Sequence, residues 1–235
     1  MKLPGLAANL AALASMLVGC SSPPPAAPIE PNPNLVAQDI PPIPASVAAQ
    51  VANYSDFRGH VFVDWHPTRR EMLVSHRRAG ASTSQLFRVA GPLAEPEQLT
   101  DASDPVRDAS YEPRDGRYIV FARGSGGDEA NKLYRLDLPG RQVTLLTDTP
   151  ERHSIEGWLR GSSRLLTMSL PLDRTAPGGT RAEIAQTLSL LDPLQPAARV
   201  KLAELPGGGW SVGSVSWDDR QLVMTRYLSA NESQL

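Results

Sequence analysis

One short segment of this sequence has the pattern of a serine nucleophile: Gly209-Trp210-Ser211-Val212-Gly213. In a G-x-S-x-G elbow the serine lies between a strand and a helix, and an acid and then a histidine follow later in the chain. Here the triplet Gly207-Gly208-Gly209 precedes the serine, a strand pattern follows it, and the last histidine is His153. We therefore predict that Ser211 is not catalytic and lies at a glycine-rich junction between strands.

The remaining residues that could do chemistry show no recognisable site pattern. The four histidines have no metal-ligand spacing such as H-x-x-x-H, and they are His60, His66, His76 and His153. His66 precedes Pro67 and is interpreted as a turn residue. The segment Gly124-Ser125-Gly126-Gly127 lacks the Gly-Lys-Ser/Thr of a phosphate-binding loop and predicts a hairpin loop. We expect no catalytic residue, no metal ligand and no cofactor-binding residue in this sequence.

The only cysteine, Cys20, follows a short apolar segment at the N-terminus. Lys2 is a minimal basic start, Leu3 to Leu17 carries no charge, and the segment ends Leu17-Val18-Gly19-Cys20. This arrangement resembles the bacterial lipobox, in which the cysteine is lipidated and becomes the new N-terminus. We expect a signal peptide over 1–20 and lipidation of Cys20; the alternative is an ordinary signal peptide with a chance cysteine.

The resemblance to a lipobox also carries an expectation about location. Ser21 rather than Asp follows the cysteine, which in such signals favours the outer membrane, with the protein facing the periplasm. Residues 21–46 hold nine of the 22 prolines and predict an extended tether. The net charge of −2 gives no indication of nucleic-acid binding.

A repeated phrase organises the rest of the sequence. An aromatic residue, a short polar turn and an apolar strand begin at Trp65, Tyr111, Trp158 and Trp217. The pair Asp115-Gly116 is the clearest turn signal among the four copies. The aromatic residues are interpreted as packing between repeats rather than as a ligand platform.

Two further strands follow in each unit. The third strands are predicted at 85–89, 132–137 and 187–192, and the fourth at 97–101, 143–148 and, more weakly, 200–204. Four strands at a period of 46 to 47 residues are typical of a β-propeller blade. The longer interval from Trp158 to Trp217 indicates an insertion of about a dozen residues in the third unit.

The sequence therefore predicts an all-β fold, a partial and open β-propeller of about three and a half four-stranded blades. We place a Pro-rich linker at 21–50 and the incomplete propeller at 51–235, and the blades are expected at 57–101, 107–148, 154–205 and, in part, 212–235. The chain ends inside the fourth copy, which favours a longer parent. An ordinary β-sandwich is the alternative fold, and no long segment has a helical period.

The first two repeats resemble those of a bacterial group in the prolyl oligopeptidase family of serine peptidases. The resemblance rests on Asp64-Trp65-His66-Pro67, on Gln85-Leu86-Phe87-Arg88-Val89 and on Lys132-Leu133-Tyr134-Arg135-Leu136-Asp137. The resemblance covers about 55–235, and in the later repeats it could equally be called similar to a TolB-like propeller. In the peptidase family a propeller restricts access to an α/β-hydrolase domain and helps select short peptides.

Blade geometry indicates where a substrate or partner would bind. The loops between second and third strands, at 77–83, 124–130 and about 170–185, emerge on one face. Their charged residues form a candidate rim: Arg77, Arg78, Asp128, Glu129, Asp173, Arg174, Arg181 and Glu183. The alternative is that these loops are solvated hairpins.

Two functions remain open. The first is the substrate-gating propeller of a membrane-anchored periplasmic serine peptidase whose hydrolase domain lies outside this chain. The second is a non-catalytic TolB-like lipoprotein that binds a protein partner. An autonomous enzyme has little support in this sequence.

Overall fold

The computed structural model describes residues 27–147, 150–173, 175 and 183–235. Segment 1–20, including Cys20, therefore lies outside the described residues. The chain divides into two units, one ending at Phe57 and the other beginning at Arg58. Within the described ranges, no helix has the length and apolar character needed to cross a membrane.

Within the described part of the first unit, residues 27–57, there is one helix, α1, at Ala45–Ser55. Before it, the Ile29 N–H donates to the Ile43 carbonyl at 2.9 Å. The sequence interpretation missed this helix. Its alanines and glutamine favour a helix intrinsically, whereas none of its side chains is buried. There is therefore no apolar face whose period could reveal it.

The second unit is built from strands. Its described residues form β1 His60–Trp65, β2 Met72–His76, β3 Gln85–Val89, β4 Glu97–Gln98, β5 Val106–Tyr111, β6 Tyr118–Arg123, β7 Lys132–Asp137, β8 Gln142–Leu145, β9 Glu151–Trp158, β10 Leu165–Pro171, β11 Ala185–Leu191, β12 Val200–Pro206, β13 Trp210–Val215, β14 Leu222–Ser229 and β15 Glu232–Gln234. A short 3₁₀ turn at Pro196–Ala198 lies between β11 and β12.

These strands form four antiparallel sheets in which neighbours in the chain are neighbours in space. The orders are β1-β2-β3-β4, β5-β6-β7-β8, β9-β10-β11-β12 and β13-β14-β15. This is an open propeller arrangement of three four-stranded sheets and one three-stranded sheet. The predicted fold class is confirmed.

The third strands β3 and β7 have the predicted bounds, but β4 and β8 are shorter than predicted. In both sheets a threonine hydroxyl takes the place of a backbone carbonyl as the acceptor where the fourth strand was expected to continue. Thr100 Oγ1 accepts from the Leu86 N–H and Thr147 Oγ1 accepts from the Leu133 N–H, each at 2.9 Å. The side-chain hydroxyl takes the backbone donor, so the strand ends there.

Apolar packing joins each sheet to the next. Ile119 and Phe121 of β6 pack with Leu73 and Leu86 of the first sheet. Their neighbours on the opposite face of β6, such as Val120, pack with the third sheet. Because successive side chains of a strand point to opposite faces, a middle strand buried on both faces is apolar without interruption.

One edge of the sheets carries the turns β1–β2, β5–β6, β9–β10 and β13–β14, and we call it the turn edge. Glu112 is fully buried there. Its carboxylate accepts from the N–H groups of Arg114, Asp115 and Gly116 at 2.9 to 3.0 Å. Ser163 of the neighbouring turn also donates to it. Burial alone would raise the pKa of Glu112, but these hydrogen bonds lower it overall.

His66 fills the corresponding turn of the first sheet. Its Nδ1 accepts from the Thr68 and Arg69 N–H groups, both at 3.2 Å. The predicted turn role of His66 is confirmed. On its other side the ring packs so closely on Gly116 that a Cβ there would come within 2.3 Å of Nε2.

Carboxylates also join sheets through backbone N–H groups. Asp64 Oδ2 accepts from the Tyr111 N–H at 2.9 Å, and Glu156 Oε2 accepts from the Val212 N–H at 2.9 Å. Asp219 Oδ1 accepts from the Arg160 N–H at 2.8 Å. Each acid therefore belongs to one sheet and bonds the backbone of a neighbouring one.

The fourth repeat starts two residues earlier than its aromatic residue suggested. Val215 pairs with Leu222 as Trp158 pairs with Leu165. Trp217 instead lies in the following turn, 85% exposed, with the Arg160 guanidinium 4.1 Å from its ring centroid. The interpretation of Trp217 as a packing residue between repeats was wrong, because the position that pairs as Trp158 does is held by the partly buried Val215.

Candidate functional site

The opposite edge of the sheets, which we call the loop edge, carries a polar cavity. It encloses about 420 Å³ where the second and third sheets meet. Among the described residues, seven ionisable side chains line it: Asp104, Arg107, Asp108, Asp128, Glu129, Arg152 and His153. We call this space the rim cavity.

The connection between β4 and β5 supplies the first wall. Asp104 lies in this connection, and its carboxylate accepts from the Gly126 and Gly127 N–H groups at 3.1 and 2.7 Å. These two hydrogen bonds lower the pKa of Asp104. Asp104 therefore stays ionised and ties the β6–β7 loop to the connection.

The β6–β7 loop supplies Asp128 and Glu129. Asp128 Oδ1 accepts from the Ser125 N–H at 2.9 Å, which closes the loop on itself. Gly124 is required at its start because a Cβ there would lie 2.4 Å from the Asp128 carbonyl oxygen. This turn places the exposed Glu129 at the cavity.

A bulge in β5 supplies Asp108. The register of β5 against β6 shifts between Arg107 and Ser110. Asp108 takes a φ of +43°, a conformation that is uncommon for a residue with a side chain. The bulge breaks the alternation of the strand and brings both Arg107 and Asp108 to the rim cavity.

Strand β9 supplies the facing wall through Arg152 and His153. His153 is buried, and burial is the main reason that its pKa falls to about 4. Arg199 lowers the pKa further, and Glu151, whose Oε2 lies 3.8 Å from Nε2, partly opposes the shift. The imidazole is therefore neutral at pH 7.

The charges of the rim cavity are mixed. Four carboxylates and Arg107 come from the second sheet and its connections, whereas the third sheet contributes Arg152. A cavity with both signs can bind a ligand that carries opposite charges at separated positions. Chemically it can bind and orient such a ligand.

The residues of the predicted rim do not lie together in one site. Asp128 and Glu129 line the rim cavity, whereas Arg78 lines a separate cleft of about 380 Å³ on the first sheet. Arg77 donates to the Ala81 carbonyl at 3.2 Å within its own loop. Asp173 Oδ1 accepts from the Thr175 N–H at 2.8 Å.

Two positions of the predicted rim, Arg174 and Arg181, lie outside the described residues. Glu183 is exposed, just before β11. The predicted rim did not include Asp104, Arg107, Asp108, Arg152 or His153, because only the loops between second and third strands were considered. The Thr-Asp stop before the β4–β5 connection was the signal that could have directed attention to Asp104.

Ser211 lies in β13 and pairs with Thr225 of β14. The turn before it contains Gly207 and Gly209, both with positive φ. A Cβ on Gly209 would lie 2.2 Å from the Tyr227 carbonyl oxygen, so only glycine fits this turn. The predicted junction between strands is confirmed, and the strand–turn–helix form of a nucleophile elbow is not the structure here.

The described part of the chain contains no group of three or more His, Cys, Asp or Glu residues placed to hold a metal ion. No protein-family model matches this sequence, and no curated protein matches it.

Several solved structures resemble the chain in fold. A TolB-like structure from Agrobacterium tumefaciens has a TM-score of 0.48 and 18% identity, over 64% of this chain and 51% of its own. An oligogalacturonate lyase in complex with manganese has a TM-score of 0.47 and 14% sequence identity, and the match covers 66% of this chain and 46% of the lyase chain. An acylaminoacyl peptidase from Pyrococcus horikoshii has a TM-score of 0.43 and 13% sequence identity, and the match covers 77% of this chain and 32% of the peptidase chain. The chain spans about half or less of these structures, and the similarities do not bear on activity.

Proposed function

We propose that this propeller is the substrate-selecting part of a serine peptidase that acts on short peptides. In this proposal hydrolysis belongs to a domain outside the sequence. The observation that carries the proposal is the rim cavity, where Asp128 and Glu129 meet Arg107 and Arg152. The sequence resemblance of the first two repeats to the prolyl oligopeptidase family supports it.

A short peptide matches the chemistry of the cavity. Its terminal ammonium complements the carboxylates, and its terminal carboxylate complements a guanidinium, since charge-assisted hydrogen bonds are the stronger class. The volume of about 420 Å³ lies within the range of small-ligand sites. Such a cavity admits a few residues of peptide, not a folded protein.

Binding of tetraalanine tests the proposal. Its two ends are charged and its side chains are not, so the terminal charges dominate recognition. Calorimetric titration of the full chain should give saturable binding, and Glu129→Gln should weaken it about tenfold, the value of a hydrogen bond to a charged group.

The matched control is Glu183→Gln, the same change on an exposed rim carboxylate that does not line the rim cavity. Its affinity for tetraalanine should equal that of the unmodified chain. Equal affinities in both variants, or no saturable binding, would remove the peptide-selecting role.

We further propose that the chain is anchored through lipid on Cys20, on the periplasmic side of the outer membrane. The lipobox-like segment and the proline-rich tether support this location. Cys20→Ser should move the protein from the membrane fraction to the soluble fraction, because the acylated residue is lost. Membrane association that survives the substitution would contradict the anchor.

A second candidate function is binding of a protein partner, and an aromatic cleft on the turn edge favours it. Pro113, Trp158, Val215 and the exposed Trp217 line this cleft of about 610 Å³. Aromatic residues are enriched where proteins meet. If Glu129→Gln leaves the affinity for tetraalanine unchanged, the peptide-selecting role is lost and this cleft is the remaining candidate for a binding surface.

A further inference from the structure

Two histidines lie side by side on the first sheet. His60 of β1 pairs directly with His76 of β2, so both side chains lie on the same face. Their ring centroids are 3.9 Å apart and their planes differ by 6°. The other two histidines of the chain, His66 and His153, are 4% and 2% exposed.

The ring of His76 is oriented by its own surroundings. Its Nδ1 lies 3.2 Å from the Gly59 carbonyl oxygen. A carbonyl oxygen only accepts, so Nδ1 donates this hydrogen bond, and in the neutral ring the lone pair lies on Nε2. The Phe87 ring packs edge-on at 5.4 Å between centroids. A histidine whose one nitrogen donates to a backbone carbonyl is the common form of a metal ligand.

His60 supplies the second imidazole. It is exposed at the beginning of β1. The χ2 torsion of histidine is broad, so rotation of the exposed ring can turn its nitrogen toward the Nε2 of His76. Coordination of one ion requires the two nitrogens to converge, and this ring rotation is the movement that would bring them together.

We propose that His60 and His76 form a two-nitrogen binding site for a divalent transition metal ion. Imidazole nitrogen is a ligand that suits zinc, copper and nickel. Water or a small anionic ligand completes the coordination sphere, so the site is open. This site is separate from the rim cavity and independent of the proposed peptide binding.

The test is calorimetric titration of the full chain with zinc chloride and, separately, nickel chloride. The unmodified chain should bind one ion in a saturable manner. His60→Ala and His76→Ala should each weaken the affinity about tenfold or more. Cys20 is present in every variant, so any binding there is the same throughout.

The matched control keeps the number of histidines and moves one of them. In the double variant His60→Ala with Val61→His, the imidazole shifts by one residue and points to the opposite face of the strand. Val61 is 63% exposed, so the position tolerates a polar ring. The double variant should bind as weakly as His60→Ala.

Thermal unfolding gives a second readout. Because the ion binds the folded chain, zinc should raise the melting temperature of the unmodified chain more than that of any variant. Equal affinity in the double variant and the unmodified chain would overturn the proposal. Unchanged metal affinity in either alanine variant would also overturn it. The same holds if neither zinc nor nickel binds the unmodified chain in a saturable manner.

Discussion

The two edges of these sheets use the same residue types in different ways. On the turn edge, the carboxylate of Glu112 is buried and accepts three backbone N–H groups and the Ser163 hydroxyl. On the loop edge, Glu129 and Asp108 are exposed and line the rim cavity. The carboxylate of Glu112 therefore stabilises its turn, whereas the carboxylates of Glu129 and Asp108 face solvent, which a ligand would displace.

The number of charged residues at an edge therefore says little about its capacity to bind a ligand. A carboxylate whose lone pairs are filled by backbone donors stabilises the turn and has little capacity left for a ligand. The carboxylates of the rim cavity lie at a bulge and a hairpin loop, where the backbone presents them to a space. Stability and binding should therefore respond to different substitutions.

The largest expected effect is on the turn edge. Glu112→Ala should lower the free energy of unfolding by about 3 kcal/mol, because several buried donors lose their acceptor. Urea unfolding measures this value. Asp115→Ala is the control in the same turn, since its side chain is 64% exposed, and it should cost under about 1 kcal/mol. Similar losses in both variants would break the distinction between the edges.

An effect of at most the same size is expected from pH at the loop edge. The pKa of His153 falls from 6.5 to about 4 in the folded chain, so the unfolded chain binds the proton more readily between these values. Stability should therefore fall as the pH falls from about 6.5 to about 4, by about 3 kcal/mol at most. His153→Gln should remove this part of the slope, and an unchanged slope would contradict the assignment.

The smallest expected effect concerns the contact between the third and fourth sheets. Asp219→Ala should lower the free energy of unfolding in urea by about 1 kcal/mol. The loss is small because the Arg160 and Gly161 N–H groups that donate to the Asp219 carboxylate are exposed and can bond to water instead. Asp219→Asn keeps one acceptor and should cost less. A loss near that of Glu112→Ala would show that exposure does not set the value of these bonds.

Much of the fold could be predicted from the sequence because each repeat states its pattern locally. The alternation of β3 and β7 and the Asp115-Gly116 turn are visible within a few residues. The packing position of the fourth repeat was misassigned because Trp217 lies two residues from the partly buried Val215 that occupies it. The helix α1 was missed because its residues favour a helix but form no buried apolar face that would give a helical period.

The candidate site was only half predictable, for a topological reason. Asp128 and Glu129 belong to a hairpin loop that the blade geometry identifies directly. Asp104 and Arg152 join them only through the packing of the second sheet on the third. Asp108 reaches the cavity through a bulge, and a bulge changes the face of a strand without leaving a periodic signal.

Amide chemical-shift mapping of the isotope-labelled chain with tetraalanine tests the comparison of the two edges most directly. We expect saturable shifts of the amide signals at Asp104–Asp108, Gly124–Glu129 and Arg152–Ser154, with the signals of the Glu112–Gly116 turn unchanged. Saturable shifts centred on the turn edge, or no shifts at the loop edge, would contradict this expectation.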